Sequence, residues 1–168
     1  MLEITDTTVN FDAKSIKKVG LVRYSPGFSL ELREIAIIGV APRLVLDDEI
    51  YFLVFTDFQG QYYRVCDEQI PATAREKLQT LFHIGIWDTW VNYTYAQHAY
   101  GLSNILYPEV LAGQPLFEKR TWFLPKDILK KANYALGLDN CAGERLTPSV
   151  IAYLAKHKPA APDCRYFT

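Results

Sequence analysis

The segment from Ile50 to Cys66 constrains the fold most. It reads Ile-Tyr-Phe-Leu-Val-Phe-Thr, then Asp-Phe-Gln-Gly, then Gln-Tyr-Tyr-Arg-Val-Cys. Both arms are rich in β-branched and aromatic residues, which suit a pleated, half-buried surface. Between them, Asp57-Phe58-Gln59-Gly60 has the chemistry of a type I turn closed by a glycine bulge. Asp57 suits the first turn position, and Gly60 supplies the positive φ that must follow. Such a turn fixes a register. Phe55 is expected opposite Tyr63 and Leu53 opposite Val65 on one face, with Val54 opposite Arg64 and Thr56 opposite Tyr62 on the other. The first face is apolar and is assigned to the core. The second is mixed, so it is expected to be only partly covered. A one-residue slip would exchange the faces, which burial of one of them forbids.

Further strands are expected at 16–24, at 30–40 and at 117–124, with 90–96 as an extension. In 30–40 the apolar parity shifts: Leu30 and Leu32 share one parity, Ile35 and Ile37 the other. A bulge near Arg33–Glu34, or two short strands meeting there, accounts for the shift. Pro42 cannot donate to a ladder, so a central strand is expected to stop before it. The first fifteen residues carry Thr5, Asp6, Thr7, Thr8, Asn10 and Asp12 and read as a loop or irregular edge. Tyr107-Pro108 and Gly113-Gln-Pro115 are breaks.

After the hairpin the period changes. Ala74, Leu78, Leu81 and Phe82 recur on one helical face, predicting a helix over 72–83, with Thr73 and Glu76 spaced as a capping box. A second helix is predicted over 126–136, from Pro125 to Gly137, with Ile128 on its apolar face. A third is predicted over 148–157, where Thr147 is the N-cap, Pro148 the first helical residue, and Val150, Ile151 and Leu154 the inward face. Strand runs precede helices, which argues against a βαβ arrangement. The expected fold is one α+β domain over 1–168. In it, a mainly antiparallel sheet of about five to six strands is covered by about three helices.

Function is less legible. The chain has no P-loop, no dinucleotide-binding glycine pattern, no nucleophile elbow and no helical His-Glu metal motif. The net charge is −1, and basic residues cluster no further than pairs such as Lys17–Lys18 and Lys130–Lys131, so nucleic-acid binding by phosphate neutralisation has little support. The acidic run Asp47-Asp48-Glu49 lacks the spaced ligands of a calcium loop and reads as solvated. Three cysteines, Cys66, Cys141 and Cys164, form neither a zinc pattern nor a disulfide framework. No targeting segment or membrane span is read, so a cytoplasmic protein without cofactor or metal is expected.

Two function classes remain. The first is recognition. Aromatic residues make up 14% of the chain, and Trp87, Trp90, Tyr93, Tyr95 and Tyr100, with Trp122, are the candidate binding residues. Tyr and Trp combine large contact area with few rotamers, as protein-recognition surfaces require. The expected function is a non-catalytic module that binds another protein, of the toxin-neutralising or inhibitory kind. The alternative is a small enzyme or small-molecule-binding domain. Its nucleophile would be Cys141, in Asp139-Asn-Cys-Ala-Gly143, with His98 as the base that thiol catalysis needs within hydrogen-bond reach. Asp57 and Asp88 are a further acid–base candidate pair, although Asp57 already has a role in the turn. His83, His98 and His157 lie in different elements, and each reads as structural or surface.

Overall fold

The computed structural model describes residues 1–12, 27–45, 48–84, 104–119, 128 and 144–159. The expected strand at 16–24, its extension at 90–96, and all but Ile128 of the helix at 126–136 lie outside the described residues. Ile128 itself is exposed, not turned inward.

Three short antiparallel strands open the chain: β1 (Leu2–Ile4), β2 (Thr8–Phe11) and β3 (Phe28–Glu31), ordered β1-β2-β3. The expectation of an irregular edge over the first fifteen residues is thus corrected. Leu2, Ile4, Val9 and Phe11 are buried, and the polar residues between them form the turn. The Thr5 hydroxyl accepts the Thr7 and Thr8 amides at 3.2 and 2.9 Å, so a threonine-rich stretch closes a hairpin.

A single 3-10 turn over Leu32–Glu34 leads into β4 (Ile35–Val45), so two strands do meet at Arg33–Glu34. A bulge between Ile35 and Ile37 then sends these two residues to opposite faces, where simple parity placed them together. β4 pairs with β5 (Asp48–Asp57), which pairs with β6 (Tyr62–Cys66). On its other side β4 pairs with β7 (Asn104–Tyr107), giving the order β6-β5-β4-β7. β4 runs through Pro42, which lies opposite Tyr51, against the expectation that it would stop. β7 reaches β4 only from Ile38 to Val40. Among the described residues, Pro42 therefore sits where β4 has become an edge, and its missing N–H interrupts no ladder there.

The β5–β6 register is the one that the turn predicts. Leu53 faces Val65, Val54 faces Arg64, Phe55 faces Tyr63 and Thr56 faces Tyr62. Gly60 has φ 82° and donates to the Asp57 carbonyl at 3.0 Å. The Asp57 carboxylate accepts the amides of Gln59 and Gln61, both at 2.9 Å. The turn is thus bonded from both its backbone and its first side chain.

α1 spans Ala72–Phe82. Its N-cap is Pro71, so Thr73 lies inside the first turn and the expected capping box does not form. Ala74 and Leu78 are buried and Phe82 packs beside them, whereas Leu81 is exposed. The inward stripe thus steps by four residues. Arg75 ties α1 to the turn before it, donating to the Asp67 carboxylate at 2.8 Å, and Lys77 donates to the Ile4 carbonyl at 2.8 Å. β8 (Phe117–Lys119) and β9 (Glu144–Leu146) form a two-stranded sheet, followed by α2 (Pro148–His157), whose bounds match the predicted helix. Thr147 is its N-cap by position, but its hydroxyl bonds the Pro115 carbonyl at 3.0 Å and not the helix amides. Val150 and Leu154 face inward, while Ile151 is exposed.

The described residues are therefore α+β with three antiparallel sheets of three, four and two strands and two helices, where one sheet of five to six strands under three helices was expected. The central sheet is covered on both faces. Ile38, Val40, Leu53, Phe55 and Val65 pack with the β1–β3 sheet and α1. Phe28 joins these layers, with its ring centroid 4.9 Å from that of Tyr63 and 6.1 Å from that of Phe55. On the opposite face, Ile37, Ala41, Phe52, Val54 and Ile105 pack with Leu116, Phe117 and α2. The face expected to be half covered is thus a second core, with Val54, Thr56 and Arg64 all buried.

Gly39 shows how tightly this second layer sits. A Cβ there would lie 2.8 Å from Leu116 Cδ2 and 2.9 Å from the Asn104 carbonyl oxygen. The leucine can swing, but the carbonyl belongs to the paired strand β7. Gly39→Ala is expected to cost about 1–3 kcal/mol, the range for overpacking, measured by urea denaturation. An unchanged midpoint would mean that β7 is free to move away.

Candidate functional site

All six residues assigned to a recognition surface, Trp87, Trp90, Tyr93, Tyr95, Tyr100 and Trp122, lie outside the described residues. So do the thiol-chemistry candidates Cys141 and His98, and Asp88. What is defined is the chain on either side of the aromatic stretch. α1 ends at His83, a left-handed C-cap with φ 51°. The next residue, Ile84, is buried in the core shared by α1 and the first sheet. The chain is described again from Asn104, and Ile105 is 1% exposed in the opposite core. Ile105 is held twice more, since its amide donates to Gln114 and its carbonyl accepts from Gly113, both at 2.9 Å. The two ends of the stretch are thus buried on opposite faces of the central sheet.

The remaining candidates resolve into structural roles. Asp57 is 7% exposed, and its carboxylate accepts two turn amides. Burial, then the charge and hydrogen bond of Asp57, push the Tyr63 phenol above its ordinary value. The Asp57 carboxylate thus has a structural role, holding the turn amides. His83 is exposed, and His157 is exposed and stacked on Tyr153 at a centroid distance of 4.2 Å. Among the described residues no three His, Cys, Asp or Glu side chains group as a metal site.

Cys66 ends β6 and is buried. Burial pushes its thiol up, outweighing the Glu68 and Asp67 amides that donate toward the sulfur. Since the thiolate is the reactive form, Cys66 is expected to resist iodoacetamide in the native protein at neutral pH. It is expected to react fully after denaturation, as read by peptide mass spectrometry. Native labelling at the rate of a free thiol would contradict the described packing.

Sequence reasoning missed a buried charged pair among the described residues. Arg64 Nη2 lies 2.7 Å from Glu144 Oε2, with the two side chains 7% and 10% exposed. The guanidinium carbon is 4.9 Å from the Tyr62 ring centroid and 5.1 Å from that of Phe117. The cation therefore lies between two aromatic faces and is neutralised by a carboxylate from β9. A signal for the pairing of β8 and β9 does exist. Glu118 faces Arg145 and Lys119 faces Glu144, opposite charges directly across two short segments. No local pattern connects Glu144 to Arg64.

No family model, no curated protein and no solved structure matches this chain. Among the described residues no helix is long and apolar enough to cross a membrane.

Proposed function

We propose that this chain is a non-catalytic protein-binding module, of the inhibitory or toxin-neutralising kind. In this reading the aromatic stretch from Trp87 to Tyr100, with Trp122, is the recognition surface. The supporting observation is the anchoring of that stretch. Ile84 and Ile105 bury its ends in the two cores, so a segment carrying two Trp and three Tyr is carried on a packed scaffold. Tyr and Trp concentrate binding energy because they bury large area while losing few rotamers.

The test is an affinity pull-down from the source lysate followed by mass spectrometry. It compares wild type with Trp87→Ala/Trp90→Ala, whose folding is checked by circular dichroism. A stoichiometric protein partner, captured by wild type and lost by the folded variant, is the expected result. Two results would overturn the proposal: loss of the fold in the variant, which would make the aromatics core, or a bound metabolite in the purified protein with no protein captured at any salt concentration.

A further inference from the structure

We draw no further inference here: the strongest candidate, the buried Arg64–Glu144 ion pair between the Tyr62 and Phe117 rings where β9 meets the central sheet, has its charges matched within the core and carries nothing that points to a ligand.

Discussion

Replacing Glu144 with alanine will destabilise the protein by about 3–5 kcal/mol, the range for removing one partner of a buried ion pair. The Arg64 guanidinium would stay 7% exposed between two rings with its carboxylate gone. Arg64→Ala is expected to fall in the same range, since it removes the other member of the pair together with the stem packed between Tyr62 and Phe117. An exposed pair behaves differently: Arg145 and Glu118 also meet at 2.7 Å but are 55% and 34% exposed, and their loss is expected to cost under about 1 kcal/mol. The double variant Arg64→Met/Glu144→Leu removes both charges and fills their volume, so it is expected to recover most of the stability lost by either single change. Urea denaturation of these three variants, beside Arg145→Ala for the exposed pair, separates the cases. Single-variant losses under about 1 kcal/mol would place Arg64 and Glu144 at the surface and remove the tie between β9 and the central sheet.

That tie shows where local sequence reading stops. The register of β5 and β6 was legible because everything that sets it lies within five residues: Asp57 bonding the turn amides and Gly60 at positive φ. The bounds of α2 were legible because Thr147-Pro148 marks its start and Pro159 its end. Coverage of the second face was not legible. Thr56 and Arg64 make that face read as mixed, and the carboxylate that lets Arg64 be buried is 80 residues away. The first hairpin was obscured by composition, since Thr5, Asp6, Thr7 and Thr8 separate Leu2 and Ile4 from Val9 and Phe11, whose period of two carries the signal. Leu81 and Ile151 fit a helical stripe, yet each lies on the solvent side of its helix. A stripe drawn from periodicity is wider than the strip of helix that the neighbouring layer covers. Of the candidate site, the sequence shows the aromatic residues, and the structure adds the buried anchors on either side of the 87–100 stretch.

One strand, β5, builds two cores, one from each face. Phe55 is 0% exposed and packs toward α1 and the first sheet, whereas Phe52 is 3% exposed and packs toward β8 and α2. Each phenylalanine is enclosed by a different layer, so deleting either ring opens a cavity that the other layer cannot fill. Phe55→Ala and Phe52→Ala are therefore each expected to cost about 3–5 kcal/mol. The most direct measurement is urea denaturation of these two variants beside wild type. The structure predicts losses of similar size at both positions. A large loss for Phe55→Ala with little change for Phe52→Ala would contradict it, leaving a sheet with one covered face.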